Sequence, residues 1–441
     1  MNKIKKLIAP ISVNLEVTDQ CNLKCFFCFC GTEAYQNSLS SVSDLEKIKN
    51  IKRILNILAK NNIFEIRLFG GEFSLLKNWK SIVEYAYNLD FFISLVSNGT
   101  LFNQSDIKFL INKKITGCSI SLHGLNGLHD QIVGVPGSFK KASKNIKLFS
   151  DGGIKVSILF TPTKINILHF EKFAQTIIEE YGASSVGVNR LFRNNRYENL
   201  SFSDYEYLLS VIKKLQNDGL PIFFTGSFPR CKVSPKYWSY MSNCSQGMSF
   251  CQIDYMGNIK NCSSLCVNIG NIFQENLQDI WQKKLAKFRT LKHLPLSCRL
   301  CPSFCGGGCI ASRTIEKNFI ADEFIKLPDK ETLIESITIT AKNYIKKWYG
   351  KIYVQPIAKK TKKRWQLSDK PCILRRYKIR KETDDCYLCM IEKKGVVVLN
   401  EKSILILNLV NGSNTIENIE KELSQKINKK DITEILDIFI D

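Results

Sequence analysis

From residue 11 to about 191, short apolar runs alternate with longer amphipathic ones, and no other feature of this sequence narrows the fold as far. "ISVNLEV", "FEIRLFG", "FFISLVS", "GCSISLHG", "KVSILFT" and "SVGVNRLF" have the length and β-branched content of strands. Helical segments lie between them. The first, 43–60, carries Leu45, Ile48, Ile51, Leu55 and Leu58 as its expected apolar face, behind Ser43-x-x-Glu46 as a capping box. Six strand–helix units with apolar strands call for a parallel sheet covered by helices, since parallel neighbours need a crossover that then buries the strands. Both an open sheet and a partial barrel satisfy this. In both, chemistry gathers at the C-terminal ends of the strands.

The first strand is followed at once by "CNLKCFFCFC", with four cysteines and three phenylalanines in residues 21–30. The chain has 441 residues and 17 cysteines, and it is long enough to build cores without disulfides. "MNKIKKLIAPISVNLEV" lacks a signal-peptide apolar region, and runs such as "GVVVL" are too short to cross a bilayer. These features lead to the expectation of a cytoplasmic protein with no membrane partner, in which clustered thiols hold metal rather than disulfides. Cys21-x3-Cys25-x2-Cys28 supplies three thiolates on one loop. A zinc site ordinarily takes four ligands in two pairs. A 4Fe–4S cluster takes one per iron, so three leave one iron open to another molecule. Cys30 is then a spare thiol, and Cys118 a small core residue.

"TDQCNLKCFFC" resembles the signature of the radical S-adenosylmethionine (SAM) enzymes, with Phe27 as the aromatic before the last cysteine. Further matches follow at the next strand ends. Gly70-Gly71-Glu72 resembles the GGE motif, with Phe73 in place of the usual proline. Ser97-Asn98-Gly99-Thr100 resembles TNGT, and Ser121-Leu122-His123-Gly124 resembles SLDG with His123 in place of Asp. The resemblance implies a partial (β/α)6 TIM-type barrel, with a cluster on Cys21, Cys25 and Cys28. It also implies SAM held by Phe27, Gly70, Gly71, Glu72, Ser97, Asn98 and Ser121, with Asn189 and Arg190 as further contacts. The activity implied is reductive cleavage of SAM to a 5′-deoxyadenosyl radical, with electrons from a flavodoxin or ferredoxin.

From about 236 to 310 the strand–helix rhythm is expected to fail, leaving a segment that metal must hold. Cys244-x12-Gly257-x4-Cys262 and Cys298-x2-Cys301-x3-Cys305-x3-Cys309 resemble the SPASM domain, which carries two auxiliary 4Fe–4S clusters. That pattern implies Cys244, Cys251, Cys262 and Cys309 on one cluster, and Cys298, Cys301 and Cys305 on the other. The next cysteine after Cys309 is Cys372, so either Cys372 or an open iron completes the second. Zinc remains the alternative for these cysteines.

The formal net charge is +22, and a basic protein can bind nucleic acid. The excess is local: 351–380 has a net of +10, whereas 381–441 has a net of −4. A solvated basic linker at 351–375 between two domains explains that step. The last segment, with Leu399-Asn400 and Asn411-Gly412, resembles the PqqD-like element, a small winged helix–turn–helix that binds the leader of a precursor peptide. Its acidity argues against DNA. Cys386 and Cys389 lie three apart on an expected strand and so face opposite ways, as packing thiols. The organisation expected is a radical SAM core over 1–200, a bridging region and SPASM domain over 201–350, the linker, and the peptide element over 376–441. The function expected is modification of a ribosomally made peptide, by a thioether or carbon crosslink or by epimerisation. The alternatives are action on a folded protein or RNA, or a zinc-stabilised binding protein without catalysis.

Overall fold

The computed structural model describes residues 7–28, 42–192, 197–242, 244–262, 264–289, 294, 298, 305–309, 311, 313–316, 319–322, 366, 368–383, 385–392, 394–423, 427 and 429–439. These form two compact units, Ala9–Tyr344 and Met1–Ile8 with Ile345–Asp441. No helix among the described residues is long and apolar enough to cross a membrane.

The larger unit is built on one sheet of ten strands in the order β10-β9-β8-β1-β2-β3-β4-β5-β6-β7. The strands are β1 (Ser12–Glu16), β2 (Glu65–Phe69), β3 (Phe92–Ser97), β4 (Gly117–Ser121), β5 (Val156–Phe160), β6 (Ser185–Val188), β7 (Ile222–Phe224), β8 (Phe250–Asp254), β9 (Asn258–Cys262) and β10 (Leu265–Asn271). β1 to β7 are parallel and adjacent in chain order. Right-handed crossovers taken always in one direction put every connecting helix on the same face. That decides between the two sheet types in favour of the barrel type, because a doubly wound sheet reverses its strand order. The helix-covered face is apolar, with Leu15, Leu68, Leu95, Cys118 and Val156 in one continuous register and all buried.

Three expectations are corrected. The parallel sheet gains a seventh strand in order, β7, which is only three residues long and carried no periodic signal. The strand–helix rhythm does stop at residues 250–271, where three strands follow one another directly, but the segment is not held by metal alone: β8 pairs in parallel with β1, and β9 and β10 continue the sheet as a hairpin. Leu45, assigned to the apolar face of helix α1 (Asp44–Lys60), is 79% exposed. Successive steps of three residues drift around a helix, and Leu45 ends about 120° from Ile51. Lys47 takes the buried place, and its Nζ pairs with Asp19 at 2.7 Å. Of the capping box expected at Ser43-x-x-Glu46 the Ser43 half is formed, its hydroxyl accepting from the Glu46 N–H at 3.3 Å, while the Glu46 side chain makes no return bond.

A hairpin of β11 (Arg313–Glu316) and β12 (Phe319–Asp322) completes the described strands of this unit. The smaller unit holds an antiparallel sheet of β13 (Tyr377–Thr383), β14 (Cys386–Ile391) and β15 (Gly395–Leu399), in that order. Helices Glu401–Leu409, Ile416–Glu422 and Lys429–Phe439 follow. Asn400 and Thr415 cap the first two, their side chains accepting from the Ser403 and Asn418 N–H groups. Ile406, Ile416, Ile419, Ile427, Ile432 and Leu436 form one buried cluster. Cys389, Ile391, Val397, Leu399, Leu407 and Phe439 form a second, between sheet and helices. Cys386 is also buried. On β13, Arg380 and Glu382 form a buried ion pair at 2.6 Å, and the Ile8 N–H donates to Glu382 at 2.8 Å.

Candidate cluster and cofactor site

The loop after β1 is tied down by backbone before any side chain acts. The Gly71 N–H donates to the Thr18 carbonyl at 2.8 Å and the Glu72 N–H to the Gln20 carbonyl at 2.6 Å. The two chains run so close that a Cβ on Gly70 would lie 2.4 Å from the Thr18 oxygen, and one on Gly71 2.3 Å from the Gln20 oxygen. Only glycine fits at either position. On the other side, the Lys24 N–H donates to the Val133 carbonyl. The loop carrying Cys21, Cys25 and Cys28 is therefore held at both ends.

Glu72 is 1% exposed and joins two strand ends. Its Oε2 accepts from the Asn98 N–H at 2.6 Å. Its Oε1 accepts from the Ser97 hydroxyl at 2.9 Å, the Ser74 hydroxyl at 2.5 Å and the Ser74 N–H at 3.2 Å. Burial raises its pKa, and the four hydrogen bonds oppose that rise only in part. The acid thus organises the turn Ser97–Thr100. Asn98 carries the order onward: its amide donates to Asn22 Oδ1 at 2.8 Å and reaches Cys21 Sγ at 4.0 Å. Phe73, in the place of proline, is buried against Trp79 and Phe102, which explains how the motif accommodates an aromatic ring.

At the next strand end, His123 is buried and its ring meets Phe27 edge-on, with centroids 4.9 Å apart. The Thr161 N–H donates to His123 Nδ1 at 3.2 Å, and the His123 N–H donates to His129 Nδ1 at 3.1 Å. Both imidazoles therefore carry their proton on Nε2 when neutral. Burial holds His123 well below its ordinary pKa and His129 at about 4, so both stay neutral near pH 7. Ser121 ends β4, beside Leu159 of β5. Asn189 and Arg190 follow β6; Asn189 Oδ1 accepts from the Thr225 hydroxyl, and the Arg190 guanidinium donates to the Ser227 carbonyl and lies over Phe228.

The three cysteines of the loop feel one another. Burial and the charges of Cys28 and Cys21 push the Cys25 thiol up to about 12. Burial raises the Cys21 thiol too, with Glu72 and Cys28 adding to it. As bare thiolates the three repel; a cationic cluster reverses that sign and turns their proximity to advantage. No three His, Cys, Asp or Glu among the described residues gather as for a single ion. A four-iron cluster asks instead for ligands spaced around it, one thiolate to each iron. The donor set fits that group.

The structure also assembles Cys244, Cys262 and Cys309. Burial pushes the Cys262 thiol up to about 12, and the charges of Cys309 and Cys244 add to the rise. Cys251 is fully buried on β8, where burial lifts it to about 12 and Arg289 acts in the opposite direction. Cys298 is half-buried and Cys305 buried; Cys301 lies outside the described residues, as does Cys30. Cys372 is exposed in the smaller unit, forms a bridge with Asn411, and lies against Gly412. Sequence reasoning found these thiols but missed a row of polar side chains on the helix-free face: Lys260, Gln252, Asn14, Arg67 and Ser94 stand in register across five strands. The period-2 alternation of each strand was visible; the register joining them was not.

Residues 15–177 match the radical SAM superfamily, and residues 244–302 match the iron–sulfur cluster-binding domain SPASM. The chain carries these two domains, and its cofactors are 4Fe–4S clusters and SAM. Among curated proteins it is similar to the AdoMet-dependent heme synthase of Oleidesulfovibrio alaskensis, at 25% identity over 70% of this chain and 84% of that protein. It is also similar to the antilisterial bacteriocin subtilosin biosynthesis protein AlbA of Bacillus subtilis, at 26% identity over 63% of this chain and 60% of that one. The crystal structure of Streptococcus suis SuiB bound to precursor peptide SuiA shares the fold, with a TM-score of 0.57 at 19% identity over 72% of this chain and 76% of that one.

Proposed function

We propose that this protein is a radical SAM peptide maturase, which modifies a ribosomally made precursor whose leader docks on the smaller unit. The observation that carries the reading is the open edge of β15. Among the described residues β15 pairs with β14 alone, so one row of its backbone groups is available. Val397 and Leu399 face the core, while Val396 and Val398 are half-exposed. Such an edge suits β-augmentation by an extended peptide, with main-chain hydrogen bonds supplying affinity. Three strands followed by capped helices suit the PqqD-like element expected for 376–441. The similarity to AlbA, whose name places it in bacteriocin biosynthesis, supports a peptide substrate. A second reading, action on a tetrapyrrole, has the heme synthase similarity behind it; an exposed strand edge gives it no additional support.

When bound, the reduced cluster and SAM supply hydrogen-atom abstraction. Cys21, Cys25 and Cys28 would hold the cluster, leaving one iron for SAM. Gly70 and Gly71 keep the backbone close enough to form the floor of that site. Glu72 fixes the Ser97–Thr100 turn beside it, and His123 with Phe27 walls it from water. Cys244, Cys251, Cys262 and Cys309 would hold one auxiliary cluster, and Cys298, Cys301 and Cys305 the second. A flavodoxin or ferredoxin would supply the electrons.

Deleting 376–441 tests the reading. The truncated enzyme should keep its iron and still cleave SAM, yet modify a full-length precursor far less at low peptide concentration. Equal modification by truncated and whole enzyme would remove the leader-binding role, and the smaller unit would then be a winged module for another partner.

A further inference from the structure

The face of the barrel sheet that carries no helices holds a guanidinium with no carboxylate at ion-pair distance among the described residues. Arg67 lies at the middle of β2, with its side chain on the same face as Asn14 and Ser94, its register partners on β1 and β3. Strands in parallel sheets are ordinarily apolar on both faces, so a guanidinium here departs from what the fold alone requires. Its Nε donates to the Ser94 hydroxyl at 3.4 Å, and Ser94 in turn donates to Glu65 at 2.8 Å. Among the described residues no carboxylate stands within ion-pair distance of Arg67, and its remaining N–H donors have no protein acceptor.

The other cation of the same row shows the contrast. Lys260 is buried and compensated by Asp254 at 3.1 Å and Glu16 at 3.6 Å. Arg67 is exposed, and among the described residues no carboxylate pairs with it. It lies three residues before Gly70, about 10 Å along the strand from the SAM floor. A substrate group positioned for hydrogen abstraction from the strand-end site would lie within this barrel face.

We propose that Arg67 is a carboxylate-recognition residue, which binds an acidic side chain of the peptide substrate through the free fork of its guanidinium. The proposal rests on the peptide reading above. The planar fork matches a carboxylate bidentately, which a lysine cannot do. Ser94 takes the Nε–H, and neither terminal nitrogen has an acceptor among the described residues. Glu65 is drawn to Ser94 rather than to Arg67, which keeps an internal acid from occupying the site.

The test uses anaerobically reconstituted full-length enzyme and two labelled probes, N-acetylglutamate α-amide and its neutral counterpart N-acetylglutamine α-amide, in equilibrium dialysis. The acid should be retained and the amide should not. Arg67→Met should weaken retention of the acid by about tenfold or more, the worth of a charge-assisted hydrogen-bonded pair. Arg67→Lys should recover part of it. Iron content checks that each variant is folded; if Arg67→Met fails this check, Arg67→Gln replaces it. Equal retention of acid and amide, or undiminished retention by Arg67→Met, overturns the proposal. SAM also bears a carboxylate, so SAM affinity is measured on the same samples. A tenfold loss of SAM affinity in Arg67→Met with no loss of acid retention would assign Arg67 to SAM and overturn the substrate role. Failure of the peptide reading would look different: an enzyme that retains the acid but leaves a precursor unmodified.

Discussion

Replacing Glu72 tests whether its carboxylate is a structural keystone of the site. In Glu72→Ala the Asn98 N–H, held at 2.6 Å, and the Ser97 hydroxyl, held at 2.9 Å, lose their acceptor inside the protein. Both residues are buried, whereas Ser74 is half-exposed and can turn to water. Two stranded buried donors cost about 1–3 kcal/mol each, so the variant should lose about 2–6 kcal/mol. Glu72→Gln keeps the volume and one acceptor oxygen. If that oxygen serves Ser97 and Ser74, the amide NH2 confronts the Asn98 N–H, and one donor is stranded at about 1–3 kcal/mol. The order of stability should be wild type, then Gln, then Ala. Urea unfolding of cluster-free protein measures this without any contribution from SAM. SAM affinity of the reconstituted variants should fall in the same order, because the Ser97–Thr100 turn loosens, while iron content holds. If both variants unfold within about 0.5 kcal/mol of wild type, the four hydrogen bonds do not matter as argued.

Other outcomes follow from the same sites. Replacing Cys21, Cys25 and Cys28 together by Ala should abolish 5′-deoxyadenosine formation under anaerobic reduction; undiminished cleavage would remove the cluster from this loop. Reconstituted wild type should hold about twelve irons per chain if all three clusters are 4Fe–4S, and a value near four with zinc making up the rest would restore the zinc alternative for residues 244–309. Cys372→Ala should lower the iron content if Cys372 completes the second auxiliary cluster, and should leave iron and spectrum untouched if that iron is open. Because burial raises the pKa of Glu72 in the fold, the folded state holds this proton more tightly than the unfolded chain. Its contribution to stability is thus greatest below the ordinary value of 4.5 and declines as pH rises through the folded value. Glu72→Gln should flatten that decline when unfolding is followed against pH.

The cysteine loop, the GGE and SNGT turns and the succession of strands were legible in the sequence because each is a local pattern: a spacing, a glycine pair, a two-residue alternation. The helix cap at Ser43 was local in the same sense. What remained hidden depended on neighbours far apart in the chain. β8 lies beside β1 although Gln252 and Asn14 are separated by 238 positions, and no local signal marks a partner at that distance. The sequential strand order, which puts the helices on one face and leaves the other open, is a property of the assembled sheet. Glu72 was recognised as a motif residue, yet only the fold revealed that its carboxylate is committed to Ser97 and Asn98. Arg67 had no motif at all. Alternation fixes which face a side chain takes, whereas pairing register decides which residues stand beside it, and that register arises only when the strands meet.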